Sequence, residues 1–219
     1  MPNESLTQTV EDIDILAGTD RKMTLRLHTP VGAGPFPVVL DLHGGAWCKG
    51  HIDECGTRDN ALAAAGIAAG ALDFRHAGDG YPTSNADINY AVRWVKANAA
   101  KLNIDPARVG LVGQSSGGHL AMLAAMRPND PRYCEIPLDG ADATVAAVAM
   151  VWPVINPLSR YRHAHRERAK ESPPSWIGDI PERHDLYWVT EENMTDGNPM
   201  VALENGEAVE TPPVLWVQG

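Results

Sequence analysis

Val109-Gly110-Leu111-Val112-Gly113-Gln114-Ser115-Ser116-Gly117-Gly118-His119-Leu120-Ala121 is the stretch from which the fold is read. An apolar run leads into Gly113-Gln114-Ser115-Ser116-Gly117, and small and apolar residues from Gly117 to Met126 lead out of it as a helix. The central five residues match G-x-S-x-G. On a strand-to-helix turn that pattern lifts the serine Oγ above the sheet, and glycines stand where side chains would clash. The frame is fixed on Ser115, because Ser116 would need a glycine at position 114 and finds Gln114. With 20 glycines and 7 serines in 219 residues, a chance match is about 6%. The pattern therefore needs company.

That company lies upstream. Val38-Val39-Leu40-Asp41-Leu42 reads as a short strand and stops at His43-Gly44-Gly45-Ala46-Trp47. A glycine-rich loop presents backbone N–H groups without steric cover, which is what a developing oxyanion requires. The candidate donors are the N–H groups in the loop Gly44, Gly45 and Ala46, above all the last two, and that of Ser116, the residue after Ser115. A chance His-Gly-Gly has a probability of about 7%, so both elements by accident fall below about 1%.

Working outward, strand and helix patterns alternate. Ile13–Leu16 and Met23–Leu27 flank a turn at Ala17–Asp20. Ala61–Ala65 reads as helix and stops at Gly66, and Ile67–Phe74 reads as strand. Ser84 or Asn85 is the expected cap of a helix through Ile88, Ala91, Val92, Val95 and Ala99. Asn103–Pro106 turns the chain, and Val145–Val151 and Val214–Val217 are further apolar strands. Strands apolar throughout, alternating with helices, imply an α/β fold with a mostly parallel central sheet covered on both faces. Ile155–Glu210 is rich in Pro, Trp, His and charge with poor periodicity. It reads as a cap-like insertion, around 155–210, in a single domain spanning 1–219.

Composition closes off other classes. Lys and Arg number 18 against 28 Asp and Glu, a net charge of −10, which argues against nucleic-acid binding. Mean hydropathy is −0.23, and no apolar run approaches the ~20 residues of a membrane span. Met1–Gln8 has neither a basic nor an apolar segment of a secretory signal. Cys48, Cys55 and Cys134 are an odd count without metal-ligand spacing, read as reduced thiols of a cytoplasmic protein.

The chain resembles the α/β-hydrolase superfamily, in its esterase branch of hormone-sensitive-lipase-like and bacterial feruloyl-esterase-like proteins. The likeness rests on His43–Trp47, Leu72-Asp73-Phe74-Arg75, Asp105-Pro106-Ala107-Arg108-Val109 and Gly113–Ala121. It covers residues 36–127 well and 145–219 more loosely. The resemblance implies Ser115 as nucleophile, the Gly44–Ala46 loop as oxyanion hole, hydrolysis of a small-molecule ester through an acyl-enzyme, and no cofactor. It places the acid after the Val214–Val217 strand and the base histidine after one further strand, both beyond Gly219. The expectation is a C-terminally truncated domain, short of its last strand and helices by about 60 residues at ~30 per β–α unit. Its activity would then be lost or severely impaired, and Val214–Val217 would be an exposed edge prone to homo-association.

Each sharp reading has a plainer rival. His163 and His165, alternating on a strand, could ligate a metal, but Arg160, Arg162, Arg166, Arg168 and Lys170 around them favour a solvated basic segment; the same cations could steer an anionic substrate. His43 is expected to brace its own loop and His119 to point away from the Ser115 Oγ into packing. Trp47 is the candidate substrate contact, with Trp152, Trp176 and Trp188 read as packing. Amide chemistry on the same fold, as an arylformamidase (which shares an H-G-G-x-W loop) or a peptidase, is the enzymatic alternative. A non-catalytic protein acting in binding or assembly is the alternative from another class.

Overall fold

The computed structural model describes residues 7–218. Among these, seven strands form one sheet in the order β1-β2-β4-β3-β5-β6-β7. They are β1 (Gln8–Asp14), β2 (Thr24–Pro30), β3 (Phe36–Leu42), β4 (Ala68–Leu72), β5 (Ile104–Gln114), β6 (Val148–Val151) and β7 (Val214–Val217). The β1–β2 and β2–β4 pairings are antiparallel and the other four are parallel. The helices are α1 (Gly56–Ala64), α2 (Thr83–Ala97), α3 (Ala99–Leu102), α4 (Ser116–Met126), α5 (Pro157–Arg168), α6 (Ile180–Trp188), α7 (Glu191–Asp196) and α8 (Pro199–Glu204).

Alternation along β3 divides the two faces. Val38, Leu40 and Leu42 join the large core with Ile88, Val92 and Val95 of α2 and Leu120 and Ala124 of α4. Asp41 points the other way, and Ala71, its partner in register on β4, packs with Ile52 and Cys55 just before α1. Helices therefore cover both faces, as the apolar strands imply. The pairing of Leu42 with Gly113 sets the loop after β3 beside the turn after β5. In open sheets of this kind, sites form at such carboxyl ends of strands.

Several local readings are corrected. The first strand ends at Asp14, whose carboxylate accepts from the N–H groups of Leu16 and Met23, so Ile15 and Leu16 are buried in the turn. Neither Ser84 nor Asn85 caps α2. Ser84 is buried, donates to the Arg75 carbonyl and accepts from the Tyr187 hydroxyl. The turn before β5 is confined to Asn103, with φ 55°, and the strand begins at Ile104. Residues 155–210 hold four helices where periodicity was poor, and His163 and His165 lie on α5 rather than on a strand. Strand β7 has all four side chains exposed. No helix among the described residues is long and apolar enough to cross a membrane.

Candidate active site

Ser115 occupies a backbone conformation that the sequence pattern anticipates. Its φ of 54° and ψ of −120° lie outside the regions open to ordinary L-residues. The surrounding structure enforces this: the Ser115 N–H donates to Val151 of β6, and its carbonyl accepts from Val154 and His119. The flanking glycines are required by contact. A β-carbon on Gly117 would lie 2.2 Å from the Leu42 carbonyl oxygen, and one on Gly113 would lie 2.4 Å from the backbone carbon of Gly117. Ser115 itself is half-buried and opens α4.

The loop after β3 lies directly against this turn. A β-carbon on Gly44 would stand 3.3 Å from the Gln114 carbonyl oxygen and 3.4 Å from the Ser115 Cβ. The loop then curls through positive φ at Gly45, Ala46 and Trp47. Its curl is closed by the N–H groups of Cys48 and Lys49, both donating to the Gly45 carbonyl. Among the described residues, the backbone N–H groups of Gly44, Gly45, Ala46 and Ser116 donate to no carbonyl or side chain. The structure thus brings together all of Ser115, Gly44, Gly45, Ala46 and Ser116.

Two buried histidines brace the arrangement. His43 donates from Nδ1 to the Gly44 carbonyl at 2.8 Å and stacks on Phe74 with ring centres 4.4 Å apart. Burial holds its pKa below the ordinary imidazole value. His119 accepts from the Trp47 indole N–H on Nδ1 at 3.2 Å, so its proton sits on Nε2 and is donated to the Gly197 carbonyl at 2.7 Å. Complete burial pulls its pKa down to about 4.

Trp47 does not present an open face. It is 1% exposed and enclosed by His119, His184, Tyr187 and Trp188. Its role here is to pack behind the loop, whereas Trp152 and Trp176 are half exposed, Trp176 stacking on His163. The basic stretch of α5 is largely neutralised, Arg162 by Glu191 and Arg168 by Glu182, with Lys170 just beyond it paired to Glu167. Cys48 donates to the Arg183 carbonyl, and burial pushes its thiol up to about 11. At neutral pH this holds the group in its thiol form.

Among the described residues no imidazole nitrogen is hydrogen-bonded to the Ser115 hydroxyl. His184 donates to Ile180 of its own helix, His165 packs on Tyr161, and His51 pairs with Asp53. What sequence reading missed lies on the α1 face of the sheet. Asp41 and Asp59 are fully buried, and Arg58 joins Asp41 to Gln114. The available signal was one carboxylate inside the apolar run Val38–Leu42.

The chain is 36% identical over 121 residues to the esterase LipC of Mycobacterium tuberculosis, covering 54% of this chain and 30% of that protein. It is 37% identical over 106 residues to the carboxylesterase NlhH of the same organism, covering 46% and 32%. The chain therefore spans about a third of these relatives' length. Its fold matches esterase B of Lactobacillus rhamnosus with a TM-score of 0.75 at 23% identity, over 98% of this chain and 65% of that one. Esterase from Pyrobaculum calidifontis superposes equally well. The fold is that of an α/β-hydrolase, and with residues 25–217 matching the BD-FAE family model, the chain belongs to the BD-FAE family.

Proposed function

We propose that Ser115 is the nucleophile of a carboxylic-ester hydrolase working through an acyl-enzyme, on a small-molecule ester and without a cofactor. The observation that carries this reading is the strained Ser115 backbone with the Gly44 loop packed against it. Strain at such a turn persists only where the surroundings over-determine it, and it places Oγ off the sheet. Attack of Oγ on the ester carbonyl moves negative charge to oxygen. The unengaged N–H groups of Gly45, Ala46 and Ser116, with Gly44 shaping the loop, are the donors assigned to it. The adduct collapses by expelling the alcohol, which takes up the proton lost by Oγ, and water then attacks the acyl carbon to release the carboxylic acid and restore the serine hydroxyl. The esterase names of LipC and NlhH support the ester class.

No base or acid is assigned among the described residues: His43, His119 and His184 are held by backbone carbonyls, and no imidazole nitrogen is hydrogen-bonded to the Ser115 hydroxyl. Ser115 at its ordinary pKa is a weak nucleophile and needs a general base to react at full rate. The helical segment 155–210 is assigned as a cap. The free thiols of Cys48, Cys55 and Cys134 support a cytoplasmic setting. The exposed β7 edge, with Leu215 62% exposed, is assigned as the surface through which isolated chains associate. Leu215→Lys is expected to lower the sedimenting mass, and an unchanged mass removes that assignment.

The functional test is hydrolysis of p-nitrophenyl acetate and N-formylkynurenine by the full-length protein that carries this chain. Ester turnover is expected, and Ser115→Ala should lower it by at least about 10³-fold. Equal rates in the two proteins, or turnover of the formamide alone, would overturn the reading.

A further inference from the structure

On the α1 face of the sheet, two carboxyl groups are buried within hydrogen-bonding reach of each other. Asp41 of β3 and Asp59 of α1 are each 0% exposed. Asp41 is fully engaged: Arg58 donates to it from Nε at 2.6 Å and from a terminal nitrogen. Both carboxyl oxygens of Asp59 lack any donor. The groups facing the pair are few. Helix α1 supplies Arg58, the turn before it supplies the Cys55 thiol, and β2 supplies Arg26, which is already bound by Asp12 and Asp53. Two ionised carboxylates would therefore share the one arginine, Arg58, and leave a buried negative charge uncompensated.

Like-charged carboxyls in one site resolve this by keeping a proton. Asp59 is the member without donors, and burial, followed by the charge of Asp41, pushes its pKa up to about 8. The remaining nitrogen of Arg58 donates to the Gln114 side chain at 3.2 Å. Gln114 immediately precedes Ser115, and its carbonyl lies against Gly44.

We propose that Asp41 and Asp59 hold one proton between them at neutral pH, Asp59 donating its O–H to Asp41, so that Arg58 meets a single charge and keeps Gln114 docked beside the nucleophile turn. Asp59 is thus a positioning residue, acting through Arg58 and Gln114, and the site carries a device that loosens in alkali. The folded state binds a proton here that the unfolded chain releases near pH 4. Its contribution is complete below that pH and is lost as pH rises through about 8.

The test uses the protein with Asp59→Asn, whose amide can donate to Asp41 as the protonated acid does, and with Asp59→Ala, which cannot. Infrared spectra at about pH 6.5 should show a protonated-carboxyl band in the native protein that is absent from both variants. Between about pH 7 and pH 8, above the range in which the buried histidines take up protons, the urea midpoint of the native protein should fall, while that of Asp59→Asn stays flatter. Asp59→Asn should also hold the Ser115 turn at pH 8, with proteolysis there several-fold slower than in Asp59→Ala. No protonated-carboxyl band in the native protein, or equal pH slopes in native and Asp59→Asn proteins, would overturn the proposal. Neither readout requires esterase activity, so failure of the ester assignment leaves this test intact.

Discussion

The Trp47 indole and the His119 imidazole meet edge to face, 72 residues apart in sequence, with the indole N–H donating to Nδ1 at 3.2 Å. Because His119 passes its own proton to Gly197, one hydrogen-bonded chain ties the loop after β3, the helix after Ser115 and the segment preceding α8. Replacement by phenylalanine leaves the Trp47 N–H and the Gly197 carbonyl buried without partners. His119→Phe is therefore expected to cost about 2–4 kcal/mol in urea unfolding, and to shift the buried-tryptophan fluorescence. A loss below about 0.5 kcal/mol would show that the chain has no structural weight.

The same burial predicts acid sensitivity. His119 and His184 are held down to about 4, each mainly by burial. A depressed histidine contributes stability that is present above its unfolded value near 6.5 and is lost as pH falls toward 4. Unfolding should ease across that window, and His119→Gln should make the slope measurably shallower. The measurement is the urea midpoint at several pH values.

Ser115 stores backbone strain at φ 54° and ψ −120°, a region that essentially only glycine occupies without cost. Elsewhere alanine is the more stabilising choice over glycine. Here Ser115→Gly should be more stable than Ser115→Ala by about 1 kcal/mol. Thermal melts of the two variants decide it, and the ordinary ranking would argue against a strained turn.

Gly117 leaves no room at all. A β-carbon there would lie 2.2 Å from the Leu42 oxygen and 2.4 Å from that of His43, so Gly117→Ala must push β3 and its loop from the turn. A loss of about 3 kcal/mol or more is expected, together with loss of Ser115 reactivity. Ser116→Ala, one residue earlier on the same helix, serves as control for helix stability.

How far the sequence reads depends on what holds each part. The sheet was legible because buried parallel strands appear as continuous apolar runs such as Val38–Leu42 and Val109–Gly113. The Ser115 turn was legible because its glycines are dictated by backbone contact. Helix α5 was not, since only Pro157 and Ala164 of its residues are buried, leaving no apolar stripe to find. It is held instead by ion pairs to Glu182 and Glu191 on later helices. Trp47 looked available because it follows the glycine loop, yet Tyr187 and Trp188 from α6 close over it. The Asp41–Asp59 pair depends on α1 packing over β4 and β2 beside β3, a relation no local pattern records.

The central claim is that Ser115 is the reacting nucleophile, and adduct mapping with a fluorophosphonate tests it most directly. The full-length protein carrying this chain is treated and digested, and the peptide containing Gly113–Gly117 is sequenced by mass spectrometry. One phosphonyl group on Ser115, absent from Ser115→Ala, is the predicted result. An adduct on another residue, or an unmodified Ser115 in protein that still hydrolyses p-nitrophenyl acetate, would contradict it.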